Sequence, residues 1–153
     1  MVTMQREMLC EMAGEVDALL QLHYLELCGH KERKVLAPRW DVYAALEQSG
    51  RFMTITARDE GTLLGYAGFL VDYHLHYAAY KHAINDVLFL HPGHRKGATG
   101  VRLIRYCEQE AAAEGCVHIL WRAKPNTPLF NILSRMRGYA PEETAFGRLL
   151  QGN

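Results

Sequence analysis

One uninterrupted run, Asn85-Asp86-Val87-Leu88-Phe89-Leu90-His91-Pro92-Gly93-His94-Arg95-Lys96-Gly97-Ala98-Thr99-Gly100-Val101-Arg102-Leu103-Ile104, constrains this chain more than any other. Val87 to Leu90 is a short apolar stretch of strand type, and Pro92 removes a backbone donor and ends any ladder. Leu103, Ile104, Cys107 and Ala111 then recur at helical spacing, so a helix opens near Gly100. Its first amides have no intrahelical partners, and the macrodipole places roughly half a positive charge there. With Arg95 and Lys96 beside it, this helix start suits a phosphate or pyrophosphate. An ordinary strand-to-helix turn would need the same glycines for the bend alone, and the residues by themselves leave both readings open.

Other phosphate loops fit less well. Gly-x-x-x-x-Gly-Lys-Ser/Thr is absent, and no Gly-x-Gly-x-x-Gly follows a strand. Gly97-Ala98-Thr99-Gly100 matches the Gly-x-x-Gly clamp of KH domains in form, but so short a pattern is common by chance. Lys+Arg and Asp+Glu are balanced at 17 each, so no overall basic field points to nucleic acid. The length of 153 residues fits one domain, expected over 1–153 with no linker, repeat or low-complexity segment. Cys10, Cys28, Cys107 and Cys116 lack C-x-x-C spacing, and neither a signal-peptide core nor a membrane-length apolar stretch is present. Reduced thiols in a soluble cytoplasmic protein are the expectation, with no membrane partner.

Around the central run the patterning continues. Met8, Met12, Val16, Leu19, Leu20, His23 and Leu27 predict one long amphipathic helix ending near Gly29. Residues 30–38 read as a charged loop, and Asp41 can cap a second helix through Gln48, stopped by Gly50. Strands are expected over 51–58, with Met53, Ile55 and Ala57 on one face, over 63–73 and over 82–90. After a helix over 101–114, a strand is expected over 117–123, a helix over 126–137 and a last strand over 144–150.

Leu90-His91-Pro92-x-His94-Arg95-Lys96-Gly97-x-x-Gly100, between a strand and an amphipathic helix, resembles the acetyl-coenzyme A loop of the GNAT superfamily of N-acetyltransferases. The family pattern is Arg/Gln-x-x-Gly-x-Gly/Ala. Arg95 and Gly100 take its ends, while Ala98 stands at the middle glycine place and Gly97 supplies flexibility one residue earlier. The order of elements is also similar over nearly the whole chain. The resemblance implies an α/β (α+β) GNAT fold: a central mixed, mostly antiparallel sheet, splayed at the cofactor cleft and flanked by helices. It extends to compact members of the kind encoded by bacteriophages and prophages.

What the resemblance implies about function is an N-acetyltransferase that uses acetyl-coenzyme A, without a metal, to acetylate a primary amine on a small molecule, a peptide or a protein lysine. A homodimer is also implied, since dimers are frequent in the family. Phe89, Leu90 and His91 would pair with the pantetheine arm, and Arg95, Lys96, Gly97, Ala98, Thr99 and Gly100 would hold the pyrophosphate. Asn126 matches a position that often contacts the cofactor, and it is equally readable as a helix cap.

An acceptor ammonium must lose a proton before its nitrogen attacks the thioester, so a base is wanted. Asp86 is the first choice, because strand alternation places it with Leu88 and Leu90, toward the cofactor arm. A structural ion pair with Arg51, Arg122 or another cation is its competing role. Many family members carry a Tyr four residues before the Gly of a Gly-aromatic pair, near the thioester sulfur. Here that position is Ser134, ahead of Gly138-Tyr139, and a serine hydroxyl is a poor proton donor. His74 and His76, two apart, share a face if they lie on a strand, with Tyr73 and Tyr77 beside them. Acceptor recognition by Tyr73, His74 and Tyr77, with His76 as a second base, is preferred over a metal pair. A GNAT-shaped binding module without turnover is the alternative function. An acetylating toxin acting on aminoacyl-tRNA is a third, disfavoured by the neutral charge.

Overall fold

Val2 and Met4 alternate with Thr3 and Gln5, and in the computed structural model, which describes residues 1–151, this opening segment is a strand, β1 (Val2–Glu7). It pairs antiparallel with β2 (Phe52–Asp59), from Val2 opposite Asp59 to Glu7 opposite Thr54. The long first helix expected from Met8 is a 3-10 turn (Leu9–Met12) followed by α1 (Ala13–Leu27). The apolar periodicity runs through both because Leu9, Met12, Val16 and Leu19 all enter one core cluster. The side chain of Glu47, in α2 (Trp40–Gln48), accepts the amides of Leu9 and Cys10 at 2.5 and 3.2 Å and so fastens the 3-10 turn.

β3 (Thr62–Tyr73) and β4 (Lys81–Leu90) continue the meander, and β5 (His118–Leu120) joins β4 in parallel after α3 (Thr99–Ala113). The sheet order is β1-β2-β3-β4-β5. One face carries Met53, Ile55, Ala67, Phe69, Val71 and Ala83 against Leu103, Cys107 and Ala111 of α3. The other carries Phe52, Leu63, Tyr66 and Phe89 against α1, the 3-10 turn and α2, through Val16, Leu19, Trp40 and Tyr43. Sheet and helices thus form three layers, each helix burying one apolar stripe. All four cysteines are free, and Cys107 is fully buried on the sheet-facing side of α3.

The chain divides into two compact units, Met1–Arg122 and the residues from Ala123 onward. In the second, α4 (Pro128–Leu133) is shorter than the helix expected over 126–137. The strand expected over 144–150 does not form: these residues have no regular structure and no ladder partner, and Phe146 is 95% exposed. Alternation alone does not make a strand when no neighbour supplies the hydrogen bonds. The strand expected over 117–123 is likewise reduced to three paired residues.

Candidate active site

Two irregularities of β4 build the candidate site. The first is a bulge. Asn85 pairs with Phe69 and Val87 with Gly68, so Asp86 is an extra residue with no partner on β3. The second is a split. β5 follows β4 only from His82 to Ile84, and beyond that point β4 has an open edge. Where the strands part, buried Asn85 takes the place of a ladder. Its Oδ1 accepts the Arg122 amide at 2.5 Å and its Nδ2 donates to the Arg122 carbonyl at 3.4 Å. The His91 amide turns toward β3 and donates to the Leu64 carbonyl at 2.8 Å. Alternation therefore turns the amides of Leu88 and Leu90 to the open edge, where an extended ligand arm could add as a strand.

After Leu90, Pro92–His94 forms a 3-10 turn pinned by His91, whose Nδ1 accepts the Gly93 amide at 3.1 Å. Gly97 adopts φ +80°, a left-handed conformation that spares the loop a side-chain penalty. α3 starts at Thr99 with Ala98 at the N-cap and no side chain capping its amides, so these donors are open to an anion. Lys96 is exposed at this end. Arg95 is not. Its guanidinium lies over the Phe89 ring at 5.2 Å, its Nε donates to the Leu90 carbonyl at 2.8 Å, and its two Nη atoms each meet an oxygen of Glu26 at 2.7 Å. The arginine expected on the pyrophosphate is thus engaged within the fold by Phe89, the Leu90 carbonyl and Glu26, and Lys96 is the exposed cation of the loop. The Arg95 hydrogen bonds hold the Glu26 carboxyl below the usual range, against the opposing effect of burial.

The bulge also changes where Asp86 points. Its Oδ2 accepts the Tyr43 hydroxyl of α2 at 2.6 Å, on the layer that includes Val87 and Phe89, not with Leu88 and Leu90 as uniform alternation predicts. No ion pair with Arg51 or Arg122 forms; Arg51 pairs with Asp72. Beside this carboxylate stand Tyr66 of β3, nearly fully buried, and His23 of α1, whose Nδ1 lies 3.2 Å from the Tyr66 hydroxyl and whose ring stacks on Phe89 at 5.0 Å. Burial, then the charge of Asp86, pushes the Tyr43 phenol up. Burial does the same to Tyr66, with Tyr43 and Asp86 adding to it. These phenols therefore remain donors. Tyr43, Tyr66, His23 and Glu26 escaped the sequence reading because none belongs to a motif; only the three-residue spacing of His23 and Glu26 on α1 hinted at a shared face.

His74 and His76 do not lie on a strand. β3 ends at Tyr73, and 74–80 is the hairpin loop, closed by the His74 amide on the Tyr80 carbonyl at 2.8 Å. His74 Nδ1 accepts the His76 amide at 3.1 Å, and its ring packs on Tyr77 at 4.6 Å. Asp86 is five residue steps along β4 from Lys81, about 16 Å at ~3.3 Å per residue, so Tyr73, His74, His76 and Tyr77 are not gathered with Asp86. No group of His, Cys, Asp or Glu among the described residues could hold a metal, and none of their helices is long and apolar enough to cross a membrane. In the second unit, Thr127 and not Asn126 caps α4: its Oγ1 accepts the Phe130 amide at 3.4 Å. Asn126 precedes it at φ +63°. The Ser134 hydroxyl donates to the Phe130 carbonyl at 2.7 Å, so its proton is engaged by backbone.

The acetyltransferase (GNAT) family model covers residues 16–139 of this chain. The chain belongs to the GNAT family. Solved structures share this GNAT fold over nearly their full length. A ribosomal-protein-alanine N-acetyltransferase from Brucella melitensis biovar Abortus 2308 is 17% identical, with a TM-score of 0.70 over 99% of this chain and 100% of that one. An aminoglycoside acetyltransferase, meta-AAC0020, from an uncultured soil metagenomic sample, solved with sisomicin, is 14% identical, with a TM-score of 0.76 over 98% and 97%. AAC(6')-Iy, solved with the bisubstrate analog CoA-S-monomethyl-acetylneamine, is 16% identical, with a TM-score of 0.66 over 99% of each chain. No curated protein sequence matches this GNAT chain. At these identities the neighbours establish the fold and leave the acceptor open.

Proposed function

We propose that this GNAT chain, acting as one functional domain, transfers an acetyl group from acetyl-coenzyme A to a primary amine, with Asp86 as the base. The observation that carries the reading is the placing of an exposed carboxylate at the bulge of β4, on the strand whose open edge leads to the uncapped start of α3. The residues fit the co-substrate: Leu90, between Phe89 and His91, turns its amide to the open strand edge, and Lys96 to Gly100 supply amides and a cation for the pyrophosphate. When bound, acetyl-coenzyme A supplies an activated thioester. Asp86 takes a proton from the acceptor ammonium; the freed nitrogen bonds to the acetyl carbon as the carbon–sulfur bond breaks, and the surplus proton still on that nitrogen passes through water to the departing thiolate. No acid is assigned, since the Ser134 proton is held by the Phe130 carbonyl.

The acceptor is a small molecule, a peptide or a protein lysine. The four free cysteines fit a cytoplasmic protein, and homodimerisation and kinship with phage-type members complete the reading. Asn126 remains the cofactor contact of the second unit, and Tyr73, His74, His76 and Tyr77 bear on the acceptor through the hairpin loop.

Thermal unfolding with acetyl-coenzyme A, coenzyme A and ATP is the first test, since a ligand at ~100 times its dissociation constant adds about 2.7 kcal/mol. A shift with both coenzyme A compounds but not ATP is expected. Thiol release is then followed with sisomicin, an alanine-terminated peptide and a lysine peptide, in the wild type and in Asp86→Asn. Turnover in Asp86→Asn equal to wild type would sink the base. A coenzyme A shift without thiol release from any amine favours the second reading, a binding module, which the engaged Ser134 and Arg95 side chains support.

A further inference from the structure

Asp86 is the unpaired residue of a bulge, so the β-ladder does not fix how its side chain is aimed. Something else must. Among the described residues its one direct side-chain partner is Tyr43, at 2.6 Å, a length typical of a hydroxyl donating to a charged carboxylate. Packing, independent of Asp86, sets the position of Tyr43. Its amide bonds the Arg39 carbonyl at 3.1 Å in the first turn of α2, and its ring meets Phe52 edge-on at 4.9 Å and tilts against Trp40 at 6.1 Å. The phenol is thus held by the core while its hydroxyl reaches the exposed carboxylate. The other titratable groups on this side are Tyr66 of β3 and, bonded to it, His23 of α1; no Lys or Arg forms an ion pair with Asp86 among the described residues.

We propose that Tyr43 is a positioning residue for the acyl transfer: its hydroxyl fixes Oδ2 of Asp86, so that Oδ1 is the oxygen left to take the acceptor's proton. The inference rests on Asp86 as the base. It adds that α2, through one phenol, aims that base. Removing the donor frees the carboxylate to rotate.

The test needs no acceptor. The full chain is labelled with ¹³C at its aspartate carboxyls, of which the sequence has five, and Asp86→Asn assigns the Asp86 signal. In Tyr43→Phe, which keeps the ring against Phe52, the Asp86 carboxyl signal at pH 7 is expected to move, since it loses a hydroxyl donor at 2.6 Å. Asp17, Asp41, Asp59 and Asp72 stay where they were, which a general loosening of the fold would not allow. Conversely, the ¹³Cζ signal of Tyr43 is expected to move in Asp86→Asn, a readout that survives even if Tyr43→Phe folds poorly. An unmoved Asp86 signal in Tyr43→Phe, or an unmoved Tyr43 signal in Asp86→Asn, overturns the proposal. Moved signals with wild-type turnover in Asp86→Asn overturn the base, and with it Tyr43's part in the reaction, while the hydrogen bond itself stands.

Discussion

Arg95 and Glu26 meet as two forks, Nη1 to Oε1 and Nη2 to Oε2, both at 2.7 Å. The pair joins the end of α1 to the loop after β4, and the same guanidinium covers Phe89 and holds the Leu90 carbonyl. A lysine can supply the charge but not the fork or the stacking. Arg95→Lys is expected to lower stability by about 1 kcal/mol and to weaken coenzyme A binding several-fold, read by thermal unfolding and calorimetric titration. Glu26→Gln should lower stability similarly while sparing coenzyme A affinity more, because the loop keeps its arginine.

Acid should loosen the molecule through its arginine-held glutamates. Hydrogen bonds from Arg58 hold Glu15 below its ordinary range against the pull of burial. For Glu7, burial alone would raise the carboxyl, but bonds from Arg58, Thr56 and Gln5 outweigh it and the net direction is down. With Glu26, these groups bind fewer protons folded than unfolded in moderate acid. Their contribution is complete above the unfolded value of about 4.3 and is lost as pH falls through the lower folded values. The melting temperature should hold from pH 7 to about 5 and drop below that. In Arg58→Met the drop should be shallower, from a lower starting point; an identical slope would count against the account.

Asn85→Ala removes both side-chain bonds to the Arg122 backbone from a buried site. The cost is expected at about 1–3 kcal/mol, the range for a buried polar group left unpaired. Hydrogen exchange should show the loss at the Arg122 amide first, with β2 and β3 protected as before.

A methyl at Gly65 would stand 2.7 Å from the Phe89 carbonyl oxygen, 2.9 Å from Leu90 Cδ1 and 3.1 Å from the Leu90 Cα, so backbone as well as a side chain would have to give. Gly65→Ala should therefore displace the end of β4 and cost about 1–3 kcal/mol. The coenzyme A thermal shift should fall with it, although residue 65 lies on the strand next to the open edge and not at it.

The central run was legible because three kinds of signal agree there: apolar strand spacing, a proline stop and helical recurrence after the glycines. β2, β3, β4 and α3 lie where their periodicities place them, within a residue or two. β1 is masked by its neighbour: its six residues carry a weaker alternation than the 3.6-residue pattern that begins at Met8. The last strand failed for the opposite reason, an alternating pattern without a partner. At the site, a motif located the loop but not the aim of its arginine, because Glu26 lies 69 positions away and ion-pair geometry leaves no trace in local spacing. The face of Asp86 was misjudged because a bulge on β4 has no signature of its own here: neither Asn85 nor Asp86 is a glycine.

That extra residue divides β4 into two lengths of opposite parity. Before it, odd-numbered Ala83 and Asn85 turn toward α3; after it, the even-numbered Leu88 does, while Val87 and Phe89 turn toward α1 and α2. Losing the extra residue would restore regular pairing and leave Val87, Leu88 and Phe89 on the sides they already hold, because plain alternation onward from Asn85 gives the same faces. What the bulge adds to β4 is therefore Asp86 alone: one exposed carboxylate set into a strand whose two packed sides are undisturbed.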